Sequence, residues 1–231
     1  MEDIDAIAAL HDPVRRRLYE YVAAQGREVG RNEAAEAAGV TRTLAAHHLD
    51  KLTEAGLLES GSRRLTGRSG PGAGRPAKVY TRVRTERAVS LPARDYRTAA
   101  ELLAEAAEEA GLDAGLCAAA RRRGEALRGS AAPCADLEQA MKILAARGYE
   151  PHAEDAENSQ GEGEPGEAAR VIRMRNCPFH AVAERFPPLV CGMNLALLEG
   201  LLGAGGPVGT RMDARPGECC VVIEASKNKT R

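Results

Sequence analysis

The chain has 231 residues, 44% of them hydrophobic, and its 32 basic side chains nearly cancel its 33 acidic ones to leave a net charge of -1. No apolar run approaches the roughly 18 residues that a membrane-spanning helix needs, so the sequence excludes a membrane-spanning protein. Trp is absent, and two Phe and five Tyr are too few to stack a row of bases, as many single-strand-binding proteins do.

The start of the sequence and its cysteines bear on the compartment. Residues 1–5 are rich in acidic side chains and lack the basic-then-apolar pattern of a secretory signal, so we expect a cytoplasmic protein. A reducing cytosol disfavours structural disulfides, which favours metal binding or redox chemistry for the thiols. The six cysteines are Cys117, Cys134, Cys177, Cys191, Cys219 and Cys220.

The chain begins with a pattern of short helices. Apolar residues at helical spacing predict helices over 4–10 and 14–22, and Asp12 between them is suited to cap the second. Asn32 is suited in the same way to cap a further short helix over 33–38.

The next helix is predicted over 41–55 and has two distinct faces at about 100° per residue. The apolar arc, expected to face a core, consists of Leu44, Ala45, His48, Leu49, Leu52 and Ala55. The opposite face consists of Arg42, Thr43, Ala46, His47 and Asp50, with Lys51 at its edge. A small polar face near a helix N-terminus fits the major groove of DNA, so Arg42 and Thr43 are candidates for base contacts. His47 can reach a base or a phosphate, whereas His48 is predicted to pack inward.

A basic hairpin follows this helix. Strands are predicted from 57 and over 78–83, on either side of a flexible tip over 66–76. Residues 61–84 contain no acidic residue and seven basic ones, which are Arg63, Arg64, Arg68, Arg75, Lys78, Arg82 and Arg84. Such a hairpin releases counterions from DNA when its cations take their place at the phosphates.

Residues 40–58 resemble the winged helix-turn-helix of ArsR/MarR-type bacterial regulators, whose recognition helices share the His-Leu-x-x-Leu-x-x-Ala-Gly-Leu ending found here at 48–57. Residues 12–16 resemble the start of their first helix, and 74–80 resembles the wing of one subset. The resemblance implies a cytoplasmic transcriptional regulator, expected to be a repressor, that binds an inverted-repeat operator in double-stranded DNA as a homodimer. The DNA-binding candidates are Arg42, Thr43, Ala46, His47, Lys51, Arg63, Arg64, Arg68, Arg75 and Lys78.

The rest of the chain predicts a mixture of helices and strands. Helical patterns cover 95–129, interrupted near Gly111, and 135–147. A strand over 170–175, helical segments over 179–202 and strands over 209–215 and 219–225 follow. Residues 150–167 contain seven acidic residues and no Lys or Arg, which is typical of a solvated, disordered loop.

These patterns predict an α+β protein in three parts. A winged helix-turn-helix domain is expected over 1–90, followed by linking or dimerisation helices over 91–131. A small C-terminal α+β domain over 132–231 holds most of the cysteines.

The C-terminal cysteines are candidate metal ligands. Cys177 follows a predicted strand, Cys191 is expected to open a helix, and Cys219 and Cys220 are expected to begin a strand. With His180 nearby, ligands from these element ends can converge on one site, although no Cys-x-x-Cys pair is present to suggest a zinc ribbon. Adjacent strand residues point to opposite faces, so only one of Cys219 and Cys220 reaches a given site unless the strand begins after them.

This region resembles the sensor domain of SufR-type iron–sulfur-binding repressors, in which three cysteines and a further ligand hold a cluster. The resemblance implies a [4Fe-4S] or [2Fe-2S] cluster on Cys177, Cys191 and Cys219 or Cys220, with His180, the other neighbouring cysteine or no protein group as the fourth ligand. Thiolates suit zinc as well, so zinc stays an alternative. The isolated Cys117 and Cys134 are expected to be packing residues.

Two other functions compete with a metal-responsive regulator. The same DNA-binding module can be joined to a pocket for an organic ligand, or can sense redox state through metal-free thiols. An enzyme with Cys177 as nucleophile and His180 as base needs further orienting groups that the spacing does not indicate. We therefore expect no enzymatic activity.

Overall fold

The computed structural model describes residues 2–63, 76–155 and 170–226, and the chain forms two compact units. We call Met1–Arg94 the N-terminal unit and Asp95–Arg231 the C-terminal unit. Helices and small antiparallel sheets make up both units, which confirms the predicted α+β class. None of the helices in the described ranges is long and apolar enough to cross a membrane.

The N-terminal unit places a helical cluster beside a three-stranded antiparallel sheet of order β1-β3-β2. Its elements are α1 (Glu2–Ala9), α2 (Pro13–Gln25), β1 (Val29–Gly30), α3 (Arg31–Ala38), α4 (Arg42–Glu54), β2 (Leu58–Arg63) and β3 (Ala77–Arg82). The hairpin strands pair from Leu58 opposite Arg82 to Arg63 opposite Ala77. Residues 64–75, which include most of the predicted tip of the hairpin and the candidates Arg64, Arg68 and Arg75, lie outside the described residues.

Local capping signals determine two of these helix starts, one as predicted and one not. The carboxylate of Asp12 accepts hydrogen bonds from the backbone N–H groups of Val14 (2.8 Å) and Arg15 (2.9 Å), which confirms it as the cap of α2. The prediction that Asn32 caps α3 is wrong. Strand β1 leads directly into the helix, so Gly30 takes the cap position and Asn32 lies within the first turn.

The core of the N-terminal unit is built from α2, α3, α4 and the sheet. Leu18, Leu49, Leu52 and Tyr80 are fully buried in it. The prediction that Leu44 belongs to this core is wrong, because its side chain is 40% exposed. Successive residues lie about 100° apart around a helix, which puts Leu44 at the edge of the arc that Ala45 and its partners bury.

The C-terminal unit contains a four-stranded antiparallel sheet of order β4-β5-β7-β6, with helices before and between its strands. Its elements are α5 (Tyr96–Glu109), α6 (Asp113–Arg128), α7 (Leu137–Ala145), β4 (Pro151–Asp155), β5 (Arg170–Met174), α8 (His180–Ala183), α9 (Pro187–Leu202), β6 (Val208–Met212) and β7 (Val221–Ala225). Gly111, with φ +63°, separates α5 from α6 as predicted.

Strand β4 corrects the expectation of a disordered acidic loop at the start of 150–167. Its residues pair with β5 in a continuous register from Pro151 opposite Met174 to Asp155 opposite Arg170. Pairing between strands therefore overrides the acidic composition there. Residues 156–169, the remainder of that predicted loop up to β5, lie outside the described part of the chain.

Helices α6 and α9 touch through their backbones at two glycines. A Cβ added at Gly124 would lie 2.2 Å from the carbonyl oxygen of Leu197, and one added at Gly200 would lie 2.2 Å from that of Arg121. Real atoms do not approach so closely, so no larger residue fits at either position. This contact holds α9, which carries Cys191, against α6.

Candidate DNA-binding surface and cysteine cluster

Helix α4 presents its first turn to solvent. Arg42 and Thr43 are exposed there, and the Thr41 side chain caps the helix by accepting a hydrogen bond from the backbone N–H of Leu44 (3.3 Å). His47 is also exposed and Ala46 is half-buried, so the predicted outer face is open along its length. Lys51 is exposed at its edge, with Nζ 2.7 Å from a carboxylate oxygen of Glu54.

An open cleft of about 1180 Å³ lies beside this turn, between the start of α3 and the β2–β3 hairpin. We call it the basic cleft, because its lining contains five cationic and two acidic residues, Arg27, Arg31, Arg42, Arg63 and Lys78 against Glu28 and Glu33. Most of the five cations have a carboxylate neighbour, as Arg63 has in Glu28 at 3.3 Å. Among the described residues no carboxylate pairs with Arg42, which leaves its charge available to an anionic partner.

Asp50 connects α4 to the neighbouring elements from the side of the helix. Its Oδ1 accepts hydrogen bonds from Lys78 Nζ (2.8 Å) and the Tyr80 hydroxyl (2.7 Å) on β3, and Arg31 on α3 lies 3.4 Å from Oδ2. Burial works to raise the pKa of Asp50, but the hydrogen bonds from Lys78 and Tyr80 outweigh it and lower the pKa. Lys78 is therefore engaged within the fold, and its role at phosphates stays a prediction.

Tyr80 completes this network from the core. Its hydroxyl donates to Asp50 and accepts from Arg31 Nε (2.9 Å). Burial, followed by the hydrogen bond to Asp50, raises the pKa of Tyr80 to about 12. The sequence did not indicate this network, because Asp50 alone reads as a polar residue of the outer helix face.

Replacing Tyr80 with phenylalanine should loosen the contact between α4 and the β2–β3 hairpin. The change removes a buried hydroxyl that forms hydrogen bonds with two charged groups, so we expect the free energy of unfolding of the N-terminal unit to fall by about 1.5–3 kcal/mol. Amide hydrogen exchange of α4 and β3 measures the stability of this unit by itself. Tyr96→Phe is the control, because Tyr96 is 75% exposed in the other unit and should leave those amides unchanged. Equal exchange in both variants would contradict the assigned role of the network.

His48 lies on the inner face of α4 and is buried there, as predicted. Its Nδ1 has no hydrogen-bond partner among the described residues, and its ring meets the ring of His47 edge-on with centroids 5.4 Å apart. Burial lowers the pKa of His48, while the charge of Asp12 opposes that shift. His48 therefore packs as a neutral residue.

The buried His48 should make the N-terminal unit less stable in mild acid. Because its folded-state pKa lies below the unfolded value, the unfolded chain binds more protons as the pH falls through about 6.5, and stability decreases. We expect His48→Leu to reduce the loss of thermal stability between about pH 7.5 and 5.5. His47→Leu, at the exposed neighbour, should retain most of the loss, because the charge of His47 lowers the pKa of His48 less than burial does. His152 in the C-terminal unit is present in all three proteins, so it cancels from the comparison. An unchanged pH dependence in His48→Leu would rule out this residue as its source.

The four predicted cysteine ligands meet in the C-terminal unit. Their thiols lie close enough to influence one another's ionisation, Cys177 with Cys219, Cys219 with Cys220, and Cys220 with Cys191. All four are free thiols, with Cys219 buried and the others half-buried. We call this group the cysteine cluster.

Two local expectations about the cluster are corrected by the element bounds. Cys191 does not open a helix, since α9 begins at Pro187 and Cys191 lies a full turn inside it. Cys219 and Cys220 do not begin a strand, since β7 starts at Val221. The alternation of side chains along a strand therefore does not separate the two residues, and both contact the cluster.

A buried amide that the sequence reasoning missed lies against the cluster. Asn194, 1% exposed, places Nδ2 3.4 Å from the sulfur of Cys219 and 4.0 Å from that of Cys177. The buried hydroxyl of Tyr149 donates to Asn194 Oδ1 at 2.5 Å. The signal for it was an Asn three residues after Cys191 in a mostly apolar helix.

The thiols influence one another's ionisation. Hydrogen bonds from Cys177 and Cys220 lower the pKa of Cys219, with a smaller contribution from Asn194. The contacts with Cys219 raise the pKa of Cys177 and of Cys220, because a second negative charge beside the first is disfavoured. Ionisation of Cys219 therefore disfavours ionisation of Cys177 and Cys220 beside it.

The side chains of His180, Cys117 and Cys134 have other neighbours. His180 is exposed, and its Nε2 lies 3.2 Å from Glu184. Cys117 packs on α9 beside Gly192. Cys134 is buried in the core, where its thiol donates to the carbonyl oxygen of Asp136 (3.3 Å).

The described side chains of the cysteine cluster are not arranged around a single ion. Within residues 2–63, 76–155 and 170–226, no three His, Cys, Asp or Glu side chains are arranged to hold one metal ion.

Comparison with known proteins bears on the N-terminal unit. Residues 10–61 match a protein-family model described as a helix-turn-helix domain. The match spans α2 to β2 and includes the whole of α4. No curated protein and no solved structure matches the chain. The match supports a DNA-binding regulator with a winged helix-turn-helix.

Proposed function

We propose that this chain is a transcriptional repressor whose binding to an operator responds to the state of the cysteine cluster. The observation that carries the DNA-binding part is the exposed first turn of α4, with Arg42 and Thr43, beside the basic cleft. The polar face of such a helix enters the major groove, while neighbouring cations bind the flanking phosphates. The match of residues 10–61 to a helix-turn-helix domain supports the same function.

A second copy of the chain is the proposed partner on DNA. One helix-turn-helix reads few bases, and a two-fold dimer places two recognition helices about 34 Å apart, in successive major grooves. Helix α5 supports this proposal, because Leu102 and Leu103 are 60% and 72% exposed on it while its Ala104 and Ala107 pack inward. Light scattering should find a dimer in solution, and selection from random duplexes should yield an inverted repeat.

Arg42 should read bases, and Arg63 should hold phosphate. Arg42→Ala is expected to weaken binding by about 1–3 kcal/mol on the selected operator and much less on random DNA. Arg63→Ala is the matched comparison, since its side chain is 62% exposed on β2. Arg63→Ala should weaken binding to both DNAs alike. It should also reduce the slope of log binding constant against log salt concentration by about one, because one phosphate contact is lost. Titrations on both duplexes at several salt concentrations measure these effects, and equal losses for Arg42→Ala on the two DNAs would refute base reading.

For the cysteine cluster we propose an iron–sulfur cluster as the bound group, with zinc as the alternative. The donor set fits in number and chemistry, because Cys177, Cys191, Cys219 and Cys220 supply four soft sulfur ligands in one place. The described side chains would have to rearrange to bind either group, because no three of them are arranged to hold one metal ion. When bound, an iron–sulfur cluster would supply redox-sensitive chemistry. Its ligands would link the segment after β5 and the segment before β7 to α9.

Metal-free thiol sensing is a second candidate, favoured by the closeness of Cys177 and Cys219, whose sulfurs both neighbour Nδ2 of Asn194. A peroxide converts one thiol to a sulfenic acid and releases water, and the neighbouring thiol then condenses with it to a disulfide and releases a second water. Elemental analysis and visible absorption of protein purified without oxygen separate the candidates. Iron with a visible chromophore supports the iron–sulfur cluster, colourless protein with zinc supports the alternative metal, and metal-free protein supports thiol sensing.

A further inference from the structure

Asn194 is an unusual residue for its position. Within the described residues of the C-terminal unit, the only buried polar side chains are Arg173 and Asn194. Arg173 lies on β5 among carboxylates, whereas Asn194 lies in α9, a helix whose other buried residues are apolar or glycine. Burying an amide costs free energy unless its N–H and C=O groups find partners. The partners of Asn194 are therefore informative about its role.

The hydrogen bond from Tyr149 determines which end of the amide meets the sulfurs. A phenol hydroxyl has one hydrogen to donate, and the carbonyl oxygen is the acceptor of a carboxamide. With Oδ1 bound to Tyr149, the two hydrogens of Nδ2 are directed to Cys219 and Cys177. One amide thus spans two cysteines that are 42 residues apart in sequence but adjacent in the cluster.

We propose that Asn194, oriented by Tyr149, is a positioning residue that holds the sulfurs of Cys177 and Cys219 side by side and donates N–H···S hydrogen bonds to whatever state they adopt. The inference rests on the proposed role of the cysteine cluster. Hydrogen bonds to sulfur tune thiolate-bound centres, and groups that orient ligands commonly change metal affinity when they are removed. The competing explanation is that Asn194 only satisfies the buried Tyr149 hydroxyl.

Two variants separate these explanations. Tyr149→Phe removes the hydroxyl and keeps the amide, whereas the double variant Tyr149→Phe/Asn194→Leu removes both. Replacing both partners of a buried hydrogen bond with apolar groups leaves neither unsatisfied, so the double variant is designed to stay folded. Thermal unfolding of the full-length proteins checks that it does. A single Asn194→Leu variant shows what an orphaned hydroxyl costs in stability.

The first measurement uses metal-free protein and limiting diamide, an oxidant that takes two electrons and two protons from a pair of thiols. Disulfides are then located by mass spectrometry. We expect the wild type to form mainly Cys177–Cys219, Tyr149→Phe to retain part of this preference, and the double variant to form about tenfold less of it, in keeping with the usual effect of a lost orienting group. A double variant that forms the same disulfides at the wild-type rate would overturn the inference.

The second measurement titrates the same proteins with Cd²⁺ alone and follows the thiolate-to-metal absorption band. The double variant should bind Cd²⁺ about 10–100-fold more weakly than the wild type, with Tyr149→Phe between them. If the wild type binds no Cd²⁺ but the disulfide result is as expected, the metal function fails and the positioning role stands. If the wild type binds Cd²⁺ and the double variant binds it equally, the positioning role fails and the metal function stands.

Discussion

Replacing Gly200 with alanine should destabilise the C-terminal unit by about 3 kcal/mol or more, the upper end of what an added methyl costs in a packed interior. The new Cβ would lie 2.2 Å from the carbonyl oxygen of Arg121 and 3.0 Å from the backbone nitrogen of Glu125. Both are backbone atoms of α6, so no rotation of a side chain relieves the clash. Helix α9 would have to move away from α6, which opens the core of the unit.

The measurement should report on the C-terminal unit by itself, because a chain with two units need not unfold in one step. Pulsed thiol labelling in increasing urea does this at Cys134, which is 2% exposed in the core of that unit. Gly115→Ala is the matched control, a glycine in α6 with no atom within 4 Å of an added Cβ. It should be neutral or stabilise the helix by up to about 1 kcal/mol. Similar unfolding of the two variants would show that the α6–α9 contact is not tight.

Helices whose ends are marked by local signals could be predicted from the sequence. Asp12 caps α2 through its own carboxylate, and Gly111 separates α5 from α6, because each acts on residues next to it in the chain. Asn32 shows the limit of such signals. Strand β1 is only two residues long, too short for a pattern of alternation, and it moves the start of α3 to Arg31, with Gly30 as the cap.

Features that depend on distant partners could not be predicted in this way. Strand β4 exists because β5 pairs with it, although its own composition favours a loop. Asp50 is joined to Lys78 and Tyr80, residues that reach it only once the hairpin has folded back on α4. The close contact at Gly200 could likewise be predicted only if the face of α9 that meets α6 were known.

The cysteine cluster combines both situations. Residue type and separation along the chain were enough to single out Cys177, Cys191, Cys219 and Cys220, and the structure brings these four together. Whether both Cys219 and Cys220 take part depended on where β7 begins, and a difference of two residues decided it. Asn194 was missed because an amide has no ligand signature until its neighbours are known.

Replacing Cys177 or Cys191 with serine should abolish metal binding by protein prepared without oxygen. Serine keeps nearly the same shape, but its hydroxyl is not a thiolate at neutral pH and is a poor ligand for soft metals. We expect iron or zinc per chain to fall to background in either variant. Cys134→Ser and Cys117→Ser are the controls, because those thiols take no part in the described contacts among the four sulfurs, and both should retain the wild-type metal content.

The same variants test whether the bound centre controls DNA binding. Suppose that the dimer has two geometries and that only one of them fits the operator. A metal centre that binds one geometry more tightly than the other then changes operator affinity, and the size of the change is set by that difference in metal binding. Operator binding by the wild type and by Cys134→Ser should therefore change when the metal is removed by a chelator or an oxidant, whereas Cys177→Ser and Cys191→Ser should bind with one affinity under all conditions. Each variant should remain dimeric by light scattering, because the exposed face of α5 is unaltered. If the wild type contains neither iron nor zinc, or binds its operator equally with and without the metal, the cysteine cluster does not act as a metal sensor.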